Sequence, residues 1–171
     1  MMGRNASNHW RPVTGDCPAM IRVRSATVEE ASSWLAMRLA LWPDGSAAEH
    51  REEIDCYLAG QAGGRPAEVL IAHDESGQAL GFAELAIRPY AEGCVTNRVA
   101  YLEGWFVEPD SRRRGIGRAL VSAAEDWSRT QGCSEFASDA APDNAVSIEA
   151  HRSLGFTDAG PVRCFHKDLT G

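Results

Sequence analysis

Apolar and polar positions along the chain change period several times, and each change marks a predicted element. Met20–Arg24 (MIRVR) alternates apolar and charged residues, the pattern of a half-buried strand. Thr27 and Glu30 form a T-x-x-E capping box, and Trp34, Leu35, Leu39 and Trp42 follow at near-helical spacing until Pro43-Asp44-Gly45 stops the helix. Ser46 and Glu49 predict a second start and a short helix through about Leu58. Glu68–His73, the turn Asp74–Gly77 and Ala79–Arg88 read as an antiparallel hairpin. A loop, Pro89–Thr96, then leads to a long strand, Arg98–Val107. The predicted helix from about Gly115 to Gln131 carries Ile116, Leu120, Ala123 and Trp127 on one face. A short strand follows at Ser134–Ser138, and a helix over Asp143–Leu154 begins near Pro142. Gly155–Asp168 is expected to hold one or two terminal strands. Antiparallel strands followed by a β-α-β-α-β half predict a mixed α/β sheet with helices on its faces.

Composition narrows the class. With 171 residues, 44% of them hydrophobic, the chain suits one domain with a true core. Residues 1–19 read instead as a polar, flexible extension without the apolar stretch of a signal peptide, leaving 20–171 as the domain. No apolar run approaches the ~20 residues of a membrane span. A net charge of −7 argues against nucleic acid as a partner and favours a cationic one. Five scattered cysteines, Cys17, Cys56, Cys94, Cys133 and Cys164, form no metal-ligand or disulfide spacing, so no metal is expected. They read as packing residues of a cytoplasmic protein.

Positive charge is almost all arginine, with Lys167 the one lysine, and it concentrates at Arg112, Arg113 and Arg114. These open the segment Arg112-x-x-Gly115-x-Gly117, between a strand and a helix. Glycines let the backbone approach a ligand closely, and a helix N-terminus offers unpaired N–H groups to a pyrophosphate. Solvated arginines at a Gly-containing helix start would look similar. The spacing matches neither a Walker loop nor a dinucleotide fingerprint.

That segment resembles the acetyl-CoA loop of the GNAT acetyltransferase superfamily. Asn144, Ser147, His151 and Gly155-Phe156 resemble the same superfamily's N-x-x-A/S-x-x-x-Y-x-x-x-G-F helix. Leu41-Trp42-Pro43, Tyr101–Val107 (YLEGWFV), Ala137-Ser138-Asp139 and Pro142-Asp143-Asn144 are similar to strings of the aminoglycoside 6′-N-acetyltransferases. The likeness runs from about Met20 to the end. It implies a GNAT-type, mostly antiparallel sheet and acetyl-CoA as cosubstrate. Along the cosubstrate it implies Trp105, Phe106 and Val107, then Arg112, Arg113, Arg114, Gly115, Ile116, Gly117 and Arg118, and finally Asn144 and His151. Ile116 is also core by spacing, as are Trp34 and Trp127. The resemblance further implies an aminoglycoside pocket with Trp42, Tyr90, Glu103 and Asp139, and a homodimer.

The chemistry of such a transfer needs a neutral amine, whereas with a pKa of about 10.4 only roughly one lysine-like amine in 2,500 is unprotonated near pH 7. A carboxylate that takes the proton supplies the deficit. Glu103, mid-strand where a carboxylate needs a partner or a cleft, and Asp139, just after a strand, are the candidate catalytic residues. An arginine salt bridge accounts equally for Glu103, a loop position for Asp139 and core packing for Trp42. His151 stands where many GNAT enzymes have a tyrosine acid, and it either donates a proton or leaves the thiolate to depart unaided. The acidic residues Asp44, Glu49, Glu52, Glu53 and Asp55 on the second helix form either a solvated face or an attraction for a polycation. Two other functions remain open on sequence alone: a GNAT enzyme for another amine, and a non-catalytic acyl-CoA sensor.

Overall fold

A computed structural model describes residues 20–61 and 66–169. The expected extension 1–19 lies outside the described residues, apart from which five strands and four helices follow in order. They are β1 Arg22–Ser25, α1 Ala31–Leu41, α2 Ala47–Leu58, β2 Glu68–His73, β3 Ala79–Arg88, β4 Val99–Val107, α3 Ile116–Thr130, β5 Glu135–Ser138 and α4 Ala145–Ser153. The capping box forms as the sequence predicts: the Thr27 amide donates to Glu30 Oε2 at 2.8 Å, just before α1.

The strands lie in the order β1-β2-β3-β4-β5, antiparallel except for the β4–β5 pair. Alternation along β2 feeds two cores. Val69 and Ile71 meet Trp34, Met37 and Ile54 of α1 and α2, while Leu70 and Ala72 meet Ile116, Leu120 and Ala124 of α3. The buried face of α3 is Ile116, Leu120, Val121, Ala124 and Ser128, with Ala123 and Trp127 only flanking it. It is thus rotated by about one residue from the predicted stripe. Trp34 is fully buried.

Two irregularities in the sheet shape the site. The β3–β4 register pairs Glu84 with Gly104 but Leu85 with Leu102, which leaves Glu103 as an extra, bulged residue on β4. The β4–β5 ladder runs only from Val99–Glu135 to Leu102–Ser138, so β4 beyond Leu102 has no ladder partner on that side among the described residues.

The sequence places terminal strands in Gly155–Asp168, and the structure corrects this: among the described residues no strand follows α4, so the C-terminal half reads β-α-β-α. Residues 157–169 are all exposed. A strand draws its stability from a neighbour's hydrogen bonds and a buried face, and this segment has neither within the described chain. The cysteines need a similar correction. Cys133 is buried and Cys56 and Cys94 are half-buried, but Cys164 is exposed; Cys17 lies outside the described residues.

Candidate active site

The bulge puts consecutive residues of β4 against the same side of the sheet. Glu103 meets Arg88 of β3: Nε donates to Oε1 at 3.0 Å and the second guanidinium nitrogen donates to Oε2. At Gly104 there is no room for a side chain, since a Cβ would lie 2.5 Å from the Trp42 ring. Trp42, at the end of α1, covers this gap, 6.0 Å from the His50 ring, and Phe82 meets it edge-on. It is half-buried, so it is both core and wall.

Asp139 directly follows β5. Its Oδ1 accepts a hydrogen bond of 3.0 Å from the hydroxyl of Tyr101, while no bond to Oδ2 is formed among the described residues. Burial, and then the hydrogen bond and charge of Asp139, push the Tyr101 hydroxyl up to about 12, so it remains a donor at neutral pH. The Arg88 guanidinium lies over the Tyr101 ring, 3.3 Å from its centroid. Glu103, Arg88, Tyr101 and Asp139 therefore form one chain of contacts. An open groove of about 1360 Å³ has Arg88, Tyr101, Asp139 and His151 in its wall, and Glu103 lies outside that wall. Tyr90 stands 64% exposed in the loop after β3 and contacts neither carboxylate.

The arginine-glycine loop reaches α3 through unusual backbone. Arg113 has φ 59 and Gly115 φ 86, both left-handed; Arg113 is the one non-glycine of this kind among the described residues. The first N–H groups of α3 have no intrahelical acceptor, which is what an anion site uses. Arg112 donates from Nε to the Val107 carbonyl at 2.9 Å, closing the loop onto the end of β4. Arg112, Arg113, Arg114 and Gly115 are exposed. Ile116 faces the core, as its spacing predicts. Gly117 lets α3 close onto Trp105, since a Cβ would come within 2.7 Å of that indole. The unladdered edge of Trp105, Phe106 and Val107 thus runs beside the positive end of α3. Arg118 donates to the Ser153 carbonyl at 3.4 Å, tying α3 to α4.

Asn144 caps α4 by accepting from the Ser147 amide at 3.1 Å. His151 packs edge-on against Trp105 at 5.3 Å and Phe156 at 5.1 Å. Its Nδ1 lies 2.7 Å from the Ser147 carbonyl, which can only accept, so Nδ1 carries a hydrogen; Nε2 lies 3.0 Å from Ser138 Oγ, which itself donates to the Leu102 carbonyl at 3.3 Å. Both ring nitrogens are engaged.

Sequence reasoning passed over Arg88, Tyr101 and a buried ion pair behind the wall. Arg38 Nε lies 3.2 Å from Glu84 Oε1, with side chains 6% and 4% exposed, and the Trp34 indole donates to the same oxygen at 2.7 Å. The Arg38 guanidinium sits 5.2 Å from the Trp42 ring centroid. Burial pushes the Glu84 carboxyl up to about 7, against the pull of Arg38 and the indole. The signal was present in the sequence: a carboxylate inside the apolar run ALGFAELAIR and an arginine inside an apolar helix each demand a partner.

Residues 33–156 match the model of the acetyltransferase (GNAT) family. An aminoglycoside N(6′)-acetyltransferase type 1 of Klebsiella aerogenes is 54% identical over 147 residues, covering 86% of this chain and 96% of the relative. One from Stenotrophomonas maltophilia is 38% identical over 148 residues, 86% and 93% of the two chains. Among solved structures, AAC(6′)-Iy with the bisubstrate analogue CoA-S-monomethyl-acetylneamine superposes with a TM-score of 0.81 at 32% identity, covering 88% of this chain and all of that one. The aminoglycoside 6′-N-acetyltransferase of Acinetobacter haemolyticus gives 0.78 at 38% identity, with 86% and 99% coverage.

Proposed function

The chain belongs to the GNAT acetyltransferase family, and within it we propose that it transfers the acetyl group of acetyl-CoA to the 6′-amine of aminoglycosides, conferring resistance. Transfer is direct, in a ternary complex. The amine lone pair attacks the thioester carbonyl carbon, the C–S bond breaks, and the sulfur leaves with the bonding electrons. One proton of the original ammonium goes to a carboxylate before attack, and the second passes from the nitrogen to the departing thiolate, directly or through water, as the amide forms. Loss of a positive charge and a donor then weakens the drug's grip on ribosomal RNA.

The observation that carries this reading is Asp139. It has a carboxylate oxygen without a bond, at the wall of the groove, beside Tyr101 and Arg88. We assign it the binding of the 6′-ammonium and the removal of its proton. Glu103, with both oxygens on Arg88, serves as a second anionic contact for the polycation. Trp42 walls the sugar pocket and Tyr90 flanks its entrance. The N-terminus of α3 with Arg112, Arg113, Arg114 and Arg118 takes the pyrophosphate of acetyl-CoA, and the edge of Trp105–Val107 takes its pantetheine arm. Asn144 and His151 border that arm. The engaged nitrogens of His151 support a thiolate that departs without its help, which a thiol pKa near 8.5 permits.

Acetyl-CoA supply places the enzyme in the cytoplasm. Among the described residues no helix is long and apolar enough to cross a membrane. We also read the enzyme as a homodimer, supported by the exposed Val162, Phe165 and Leu169 and by the position of β5 at an edge of the sheet.

Thiol release from acetyl-CoA tests the reaction with two related drugs. Kanamycin A has a 6′-amine, whereas paromomycin has a 6′-hydroxyl and keeps amines elsewhere. Turnover with kanamycin A alone is the expected result. Equal turnover moves the target to another amine, and silence with both overturns the antibiotic reading.

A further inference from the structure

Two arginine–carboxylate pairs lie beside the β3–β4 bulge, and they differ in exposure. Arg38–Glu84 is sealed, with side chains 6% and 4% exposed. Arg88–Glu103 is open, at 29% and 22%. Truncating one partner of a sealed pair strands a buried charge, whereas an exposed pair is held weakly and either member readily takes a new partner.

We propose that Arg88 is the resident cation of the aminoglycoside site: it holds Glu103 in the empty enzyme and gives up that carboxylate to an arriving ammonium. The idea rests on the aminoglycoside reading above. Four observations carry it. Arg88 bonds both oxygens of Glu103, so no second fork-like donor can approach while it stays. Its guanidinium lies flat on Tyr101, whose hydroxyl holds Asp139, so the cation is stationed between the two carboxylates a polycation would use. In the groove wall Arg88 is present and Glu103 is not, so a ligand meets the arginine first. Finally, Arg88 stands at the last position of β3, where a long side chain swings without disturbing the ladder.

The consequence is selection by charge. A weakly charged amine gains too little at Asp139 and Glu103 together to displace Arg88. A ligand with several ammonium groups replaces one cation by two and keeps the cluster neutralised. Arg88 thus acts as a specificity residue that sets KM for the amine substrate and does not touch acetyl-CoA.

Steady-state kinetics of Arg88→Gln and Arg88→Lys with kanamycin A at saturating acetyl-CoA test this. Glutamine removes the competing charge; lysine keeps it but cannot fork onto both oxygens. KM for kanamycin A should fall in the order wild type, Lys, Gln, by about two- to fivefold overall, the scale of an exposed ion pair. The change should lie in KM rather than kcat, shrink at high ionic strength, and leave KM for acetyl-CoA where it was. A KM that rises or stays constant, or a loss confined to kcat, overturns the proposal and makes Arg88 a fixed support of Glu103. Should Arg88→Gln fail to fold, the Lys variant alone still has to show the lower KM. Should wild type not acetylate kanamycin A, the aminoglycoside reading fails by itself. Calorimetric Kd values for kanamycin A across the same three proteins must then still follow the stated order.

Discussion

Asp139 lines the groove and Glu103 lies just outside it, joined to it through Arg88 and Tyr101, and their hydrogen-bond partners differ. Asp139 accepts one neutral hydroxyl and retains an open oxygen, while Glu103 is saturated by a guanidinium. A base needs a lone pair directed at the proton it removes. Asp139→Asn should therefore lower kcat for kanamycin A by about a hundred- to a thousandfold at pH 7, within the range of general-base catalysis. Glu103→Gln strands the Arg88 charge in a site meant for cations, so its main effect should be a higher KM. Measuring both constants for both variants decides it, and the reverse pattern would hand the proton to Glu103. The two candidate carboxylates stand out in the sequence because each breaks its local pattern: Glu103 interrupts an apolar strand, and Asp139 follows one. Arg88 was not legible, because a charged residue closing a strand looks like an ordinary solvated end. Only the bulge, which a sequence pattern does not announce, brings it onto Glu103.

At the scale of elements, α1 is held by two buried carboxylates with opposite leanings. At its start, burial raises the Glu30 carboxyl, but bonds from Thr27 and the charges of Arg24 and His73 outweigh this and hold it below its ordinary 4.5. At its middle, Glu84 receives the Trp34 indole and Arg38, and burial still leaves it near 7. The signs follow from proton linkage. For Glu30 the folded state binds fewer protons than the unfolded one, so its stabilisation is complete above pH 4.5 and is lost as pH falls through the lowered value. For Glu84 the folded state binds more protons between 4.5 and about 7, so stability declines as pH rises through that window. Urea midpoints measured from pH 4 to pH 8 should show the effect. Glu84→Gln flattens the decline between pH 5 and 7, whereas Glu30→Gln weakens the fold at pH 7 and loses less on acidification. A Glu84→Gln profile parallel to wild type would show that Arg38 keeps Glu84 ionised throughout. The capping box was readable at Thr27 and Glu30 because its signal is local. The Glu84–Arg38 pair joins residues 46 apart in sequence, which neither run reveals alone.

At the scale of the molecule, most of the architecture is legible because the periods of strands and helices are strong and the hairpin turn Asp74–Gly77 is short. The exception lies after α4. Pro161–Asp168 (PVRCFHKD) carries a strand-like mixture of apolar and charged residues, and the structure leaves it unpaired and exposed. Phe165 is 92% and Leu169 81% exposed. Exposed apolar residues gathered in one segment mark a surface that meets something. β5 stands at an edge of the sheet, and an unpaired edge is a liability unless it is covered. A second copy satisfies both at once, because twofold symmetry gives every segment and every edge the same partner. It also explains why reading one chain in isolation predicts a strand that one chain does not form. Sedimentation velocity at micromolar concentration should therefore give twice the mass of the chain. Replacing Val162 and Phe165 together by Glu should shift it to one chain without unfolding the domain, since neither residue contributes to the buried core. A wild-type protein that sediments as a single chain up to tens of micromolar, where a stable interface of standard size would hold, rules out the dimer.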